Sequence, residues 1–474
     1  MKKILSLMLA FLLVMGLVAC GGEAAVTTGA GGQAASTEVG ELPALRAGFG
    51  RVCITPKNKV ALSSSKQATY DAVWDDVYMT CVALADADGN TVLLMTTDIS
   101  YISSSLRSAV VRLASEASGV PEGNIVFACT HNHSGLEPSG SVSTLLKDSA
   151  KECAVAAVED LSAATLSLGT AYPEGFNFVR HYVTTDGYYV GDGYYSPTGT
   201  PEEKHVRQPD NAMQMMRFDR AGKQSILLCN WQAHAVYSYY QEHLCADFIG
   251  PLRETVEAEA DVLFAYFQGA AGNLNPWSEI GGNQGGEKSL GGMDIFGQKL
   301  AQYPLAILDS LTPVDGAGIT LAGSDLAINV RRDSSETLAA AVAFEEAIAA
   351  GKKKYEAVAA SGNQIHSIYG AEYVHDRPRK GSSNDITITA IRLGDVAFAV
   401  VPYEMFDDSG VYIKENSPFE MTFILGYANG RFGYMPSAAC IEHGCYEWEC
   451  GYYEAGTAEI LVEEYLKLLN QLNP

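Results

Sequence analysis

The run Ile125-Val-Phe-Ala-Cys-Thr-His131-Asn-His133-Ser-Gly135 brings two imidazoles, one residue apart, to the end of an apolar stretch rich in β-favouring residues. Residues i and i+2 of an extended strand face the same way, so this spacing predicts that His131 and His133 address one cavity while Asn132 turns from it. Neutral imidazole binds zinc well, and it also moves protons near neutral pH. A lone His-x-His pair is equally the property of an ordinary loop, and other segments decide its weight. Ser225 to Cys229 leads into Asn230-Trp-Gln-Ala-His234, Val262 to Phe267 leads into Gln268-Gly-Ala-Ala-Gly-Asn-Leu-Asn275-Pro, and Asp395 to Val401 leads into Pro402-Tyr-Glu404. Loops at strand ends hold polar groups that a rigid sheet aims, and glycine lets backbone approach a ligand. Taken singly, His234 is equally a core histidine, Glu404 a solvated acid and the glycine-rich segment a plain turn.

The elements that must position these groups alternate. Val82 to Ala85 and Thr91 to Thr97 flank the polar turn at 86–90 and predict a hairpin. Ser103 to Ser118 has helical spacing and precedes the strand that ends at His131, a strand, helix, strand order typical of layered α/β proteins. Leu252 to Ala260 predicts a helix between the strands at 225–229 and 262–267. Ser335 to Ala360 predicts a capped helix, Thr387 to Val401 a strand, and Gly456 to Leu472 a closing amphipathic helix. The expected class is α/β with mixed sheets flanked by helices, and 315–335 is the expected seam between halves.

Met1-Lys-Lys opens a charged head, Ile4 to Val18 is apolar and uncharged, and small residues precede Cys20 in Leu17-Val-Ala-Cys20-Gly-Gly. This pattern resembles a bacterial lipoprotein signal over 1–20. It predicts a lipid on Cys20 that anchors the chain to a membrane outside the cytoplasm. The alternatives are an ordinary cleaved signal and an uncleaved anchor. Residues 21–42, rich in Gly, Ala, Ser and Thr, predict a flexible tether before a domain at 43–474. A formal charge of −24, from 32 basic and 56 acidic residues, excludes nucleic acid as an expected partner. Cys440, Cys445 and Cys450 are spaced too widely for a Cys-x-x-Cys zinc pair, and a local disulfide is favoured over metal.

Together the segments resemble the neutral, non-lysosomal ceramidase family over roughly Ala47 to Leu472. The carriers are Arg46-Ala-Gly-Phe-Gly-Arg-Val-Cys-Ile-Thr-Pro56, the Thr-His131-Asn-His133-Ser-Gly block, Asn230-Trp-Gln-Ala-His234, the run from Gln268 to Asn275, Val401-Pro-Tyr-Glu404, Gly433-Tyr434-Met-Pro and Gly451-Tyr-Tyr453-Glu-Ala-Gly-Thr. The resemblance implies an α/β catalytic domain with one zinc ion per chain that cleaves the N-acyl amide of ceramide. It implies zinc ligation by His131, His234, Glu404 and Tyr434, with an ion that acidifies a water and polarises the scissile carbonyl. It places His133 beside the metal as a proton shuttle, and Arg180 and Tyr453 at the developing oxyanion. Asp98 and Asp247 are expected either to orient ligand histidines or to serve as caps and turns.

The chain departs from the family pattern in three ways. Asn275 stands where the ceramidases carry a serine, so it donates hydrogen bonds but offers no hydroxyl. Cys53 replaces an acidic residue, and the expected layout has no C-terminal immunoglobulin-like domain. The segment 181–210 is rich in Tyr, Gly, Asp and Pro, which suits a sugar or other polar ligand as well as a lipid. The leading expectation is an extracytoplasmic zinc amidohydrolase acting on linear amide C–N bonds of a ceramide-like lipid or small amide. The alternatives are a zinc hydrolase of ester, glycan-linked or peptide-like substrates, and a substrate-binding lipoprotein without turnover.

Overall fold

Apolar alternation and glycine placement build two main sheets, with four small ones beside them among the described residues. The computed structural model describes residues 43–63, 67, 69–238 and 242–473, so the expected signal, Cys20 and the tether at 21–42 lie outside the described residues. The larger, nine-stranded sheet runs in the order Val262–Gln268, Ser225–Trp231, Met213–Arg220, Ser162–Ala171, Leu45–Cys53, Tyr78–Asp86, Thr91–Thr97 and Ile125–Cys129, with Thr312–Val314 added beside Ser162–Ala171. The smaller has four strands, Ile319–Asn329, Ser383–Leu393, Val396–Val400 and Met421–Leu425. Their inner faces share one apolar core in which Val82, Leu94 and Phe267 meet Ile391, Phe398 and Phe423.

Helices cover both outer faces. Ser104–Ser118 and Gly140–Glu159 pack on one half of the large sheet, and Ile249–Glu259 and Leu290–Ile307 on the other. Thr457–Leu472 covers the small sheet. Gly48 and Gly50 explain how closely helix Gly140–Glu159 lies on its strand. A Cβ on either would sit 2.1 Å from the Ala157 carbonyl oxygen or 2.3 Å from that of Cys153, so only glycine permits this approach. The α/β class with mixed sheets is as expected, and Leu42–Pro474 is one compact unit. Among the described residues, no helix is long and apolar enough to cross a membrane.

Several expectations need correction. The helix expected over Ser335 to Ala360 is two, Ser335–Ala349 and Lys354–Ala360, because Gly351 takes a left-handed φ of 74° and ends the first. The strand expected from Thr387 to Val401 folds back on itself at Gly394, also left-handed, giving the hairpin of Ser383–Leu393 with Val396–Val400. At 315–318 the chain passes from the large sheet to the small one within a single compact unit, and Ile319, which opens the edge strand Ile319–Asn329, donates its backbone N–H to the Asp86 carboxylate at 2.9 Å. Cys440, Cys445 and Cys450 are buried and free rather than bridged.

Three crossovers matter for the site. Each joins a parallel strand pair through one helix: Thr91–Thr97 with Ile125–Cys129, Ser225–Trp231 with Val262–Gln268, and Val396–Val400 with Met421–Leu425. Parallel strands put all carboxyl ends on one side, where ligand-binding loops of α/β sheets gather. The two sheets touch there: Cys129 donates its N–H to the Tyr427 carbonyl at 3.1 Å, and Gly426 donates to the Gln268 carbonyl at 2.8 Å.

Candidate active site

Loops following these strand ends deliver His131, His133, His234, Glu404 and Tyr427 to one place. His131 lies beyond the strand, which ends at Cys129, and its backbone is left-handed with φ 60°. The turn, not the alternation of a pleated strand, therefore brings the two histidines together. His133 Nε2 lies 3.2 Å from His131 Nε2, and His131, His133 and His234 form one metal-capable group. Glu404 and Tyr434 are direct partners in a short parallel pairing of Glu404–Met405 with Tyr434–Met435, so backbone register sets their side chains beside each other.

The tautomers follow from the backbone. His131 Nδ1 donates to the Ser100 carbonyl at 3.0 Å and His234 Nδ1 to the Ala271 carbonyl at 2.6 Å, because a carbonyl can only accept. Each Nε2 therefore carries a lone pair, and each lies 3.4 Å from Glu404 Oε2. His234 Nε2 and Glu404 Oε2 are buried with no hydrogen-bond partner. Acceptors that face one another in the interior cost free energy unless a cation or proton sits among them. Tetrahedral donors at ordinary zinc distances are about 3.3–3.4 Å apart, so the observed separations fit that ion.

Electrostatics agree. Burial pushes His131 well below the ordinary histidine range against the pull of Glu404. It takes His133 and His234 down to about 3, aided by Arg180 in both. All three are neutral at pH 7 and free to ligate. Burial raises Glu404, opposed by His131 and Arg180, and raises Tyr434 well above the ordinary phenol, with Glu404 adding to the rise and Arg180 opposing it.

Arg180 supports Tyr434 from behind. Its Nη2 donates to Tyr434 Oη at 3.1 Å and to the Gly272 carbonyl at 2.9 Å, while Nε donates to Glu447 Oε1 at 2.6 Å. These bonds commit Nε and Nη2 of the guanidinium to Glu447, Gly272 and Tyr434. Tyr453 does not join the cluster: its hydroxyl accepts from Asn384 Nδ2 at 2.9 Å and its ring packs in the core under Thr457–Leu472. Asn275 donates to Asp192 and pairs with Phe178 in the short strand Phe178–Val179 that leads into Arg180. Asp98 holds Arg253 at 2.8 Å and Asp247 caps the N–H groups of Tyr237, Ser238 and Phe248, so neither orients a ligand histidine; backbone carbonyls do that. Cys53 is exposed at a strand end, away from the cluster.

Three residues went unread in the sequence. Tyr427 stacks on His131 with ring centroids 4.0 Å apart, from a left-handed backbone at φ 54°. Strained positions of that kind concentrate at functional sites, and its setting between Gly426 and the Asn429-Gly430 turn was the available signal. Glu447 is the buried partner of Arg180. Gln268 is a clamp: its Nε2 donates to the carbonyls of Thr130 at 3.0 Å and Ala233 at 2.7 Å, each one residue before His131 and His234. Gln268→Glu replaces that shared donor by an acceptor facing two carbonyls. Zinc affinity is expected to fall about 10–100-fold with the fold retained, measured by competition with a chromophoric chelator; unchanged affinity would remove the clamp from the account.

Comparison with solved structures places the architecture. A ceramidase complexed with C2 superposes with a TM-score of 0.66 at 16% identity, covering 91% of this chain and 75% of its own. Neutral ceramidase from Pseudomonas aeruginosa gives 0.66 at 17%, covering 90% and 74%. The fold is that of the neutral ceramidases. No protein-family model matches the sequence, and no curated protein matches it. The resemblance of this chain to a neutral ceramidase is thus one of architecture, at 16–17% identity.

Proposed function

We propose that this chain is an extracytoplasmic, lipid-anchored zinc hydrolase of N-acyl amides. The carrying observation is the facing set of His131 Nε2, His234 Nε2 and Glu404 Oε2, three acceptors at 3.4 Å steps, two of them with no partner. Those three groups and Tyr434 would hold the ion. When bound, zinc supplies Lewis acidity toward a carbonyl and lowers the pKa of a water.

The protein's own groups do the rest. His133, on the cavity wall and neutral, accepts a proton and passes it to the departing amine. Its depressed basicity favours the second transfer. Arg180 opposes the burial that keeps the Tyr434 phenol protonated and would favour its anion beside an ion, and the Ser100 and Ala271 carbonyls fix both ring orientations. The cavity, about 170 Å³ and walled by Tyr101, Tyr427, Phe432 and Arg431, is smaller than the roughly 300–1,000 Å³ typical of small-molecule sites. It admits the amide and a compact group on either side, with any long chain lying outside.

The test is hydrolysis by zinc-loaded and chelator-stripped full chain of N-acyl sphingosines and simple N-acyl amides in a chain-length series. Zinc-dependent turnover that favours short acyl groups supports the proposal; zinc binding without turnover of any amide rejects it. The ionisation states add a second expectation. Zinc binding near neutral pH should release protons from the Tyr434 phenol and none from the histidines, so apparent affinity rises with pH, about tenfold per unit for each proton released. Calorimetry in buffers of different ionisation enthalpy counts them, and zero release would contradict ligation by Tyr434.

A further inference from the structure

A second set of ligand-type side chains lies behind the first. Cys440-Ile-Glu-His443-Gly-Cys445 ends the helix Ala438–His443 and caps the next. His181, from strand His181–Thr184, packs against it: the His181 and His443 ring centroids are 5.7 Å apart. Donor atoms of His181, Cys440 and His443 lie within 4.8 Å of one another. Cys445 packs beside Cys440, and both thiols are free.

The decisive detail is which nitrogen carries the proton. His181 Nε2 faces Glu447 Oε2 at 2.9 Å, so Nε2 donates and Nδ1 holds the lone pair. That Nδ1 has no hydrogen-bond partner, in a residue only 2% exposed, and His443 Nε2 is equally unpartnered. Carboxylate on one nitrogen and an open lone pair on the other is the usual arrangement of a metal-binding histidine. We propose that His181, Cys440 and His443 bind a second divalent ion of borderline softness, zinc by preference, distinct from the His131–His234–Glu404–Tyr434 centre. Imidazole and thiolate together select such ions over magnesium or calcium. Burial pushes the Cys440 thiol up to about 12 and the His443 imidazole down to about 4, so both are neutral at pH 7 and ligation is what frees the thiol of its proton. His443 also borders an open pocket with Tyr194 and Glu442, which gives the ion a way in.

The site has a structural use. Glu447 joins His181 to Arg180, and Arg180 joins Tyr434. An ion on His181 Nδ1 fixes that ring, and with it the carboxylate that holds Arg180 in place.

Cobalt separates the two sites, since only the second offers sulfur. Reduced, chelator-stripped full chain titrated with Co²⁺ is expected to bind two ions and to develop a thiolate-to-cobalt charge-transfer band. Cys440→Ser should abolish the band and one equivalent. His443→Ala, at a half-exposed position that spares the fold, should weaken cobalt binding at this site about tenfold or more. His234→Ala should remove the other equivalent and leave the band intact, so failure at one centre is readable apart from the other. Absence of the band in reduced wild type at saturating Co²⁺, or a band unchanged in both Cys440→Ser and His443→Ala, overturns the proposal.

Discussion

His234→Ala is expected to lose bound zinc and with it at least about three orders of magnitude in amide hydrolysis, since Lewis-acid stabilisation amounts to several kcal/mol of the barrier. The stability consequence separates this loss from simple misfolding. In metal-free protein His234 Nε2 faces Glu404 Oε2 at 3.4 Å, each without a donor, so removing the imidazole relieves an unfavourable contact while opening a small cavity. The two effects oppose, and the stripped variant should unfold near the stripped wild type. Zinc should then stabilise wild type by about 2.7 kcal/mol at roughly 100 times its Kd and leave the variant unmoved. Metal analysis, activity and thermal unfolding with and without zinc provide the three readings. A variant that keeps a full equivalent of tightly held zinc at this centre would remove His234 from the ligand set.

Arg180→Met is expected to cost about 3–5 kcal/mol, because it strands a buried carboxylate. Glu447 is fully buried, and Arg180 and His181 hold it at 2.6 and 2.9 Å. Burial alone would raise its pKa; Arg180 and then His181 overcome this and hold it well below the usual carboxylate range. A depressed folded-state pKa contributes stability that is present above the unfolded value of about 4.3 and lost as pH falls toward the folded one. In Arg180→Met burial regains weight and the folded pKa moves up. The contribution then shrinks or changes sign, so the deficit against wild type narrows as pH drops through the carboxylate range. Urea unfolding of both proteins from pH 7 to 4 measures it. A deficit constant across that range would show that Arg180 acts by packing. Lysine is a poor substitute, since one ammonium cannot reach Glu447, Gly272 and Tyr434 with the planar fork that arginine supplies.

The fold class was legible because its signals are local: an Asp-Gly-Asn turn between alternating runs, helical spacing from Ser103 to Ser118, an amphipathic last helix. Helix and strand lengths failed where one left-handed glycine, Gly351 or Gly394, decided the outcome against propensity. In the site, histidines and a strand-end glutamate announce themselves by type, and the structure gathers His131, His133, His234, Glu404 and Tyr434. Supporting residues do not announce themselves. Glu447 reads as one acid of an exposed Tyr-Glu-Trp-Glu turn, and its burial depends on a contact with Arg180, 267 residues away. Gln268 is an unremarked amide until the two loops it spans are seen. Tyr453 misled for the converse reason: a suitable residue type beside a suitable strand says nothing of which way the side chain turns, while Asp247 takes the capping role that was the alternative expectation for it.

The division of the candidate ligands between the sheets has a bearing on how the molecule assembles. His131 and His234 leave strands of the large sheet, whereas Glu404 follows a strand of the small one and Tyr434 comes later in the chain. Neither half can hold an ion well by itself, and loop closure over such long separations is slow. An ion held by all four groups would therefore be captured late in folding, after the two sheets have docked through their common core. Such an ion would act as a rivet between the two sheets, and opening the sandwich would require releasing it.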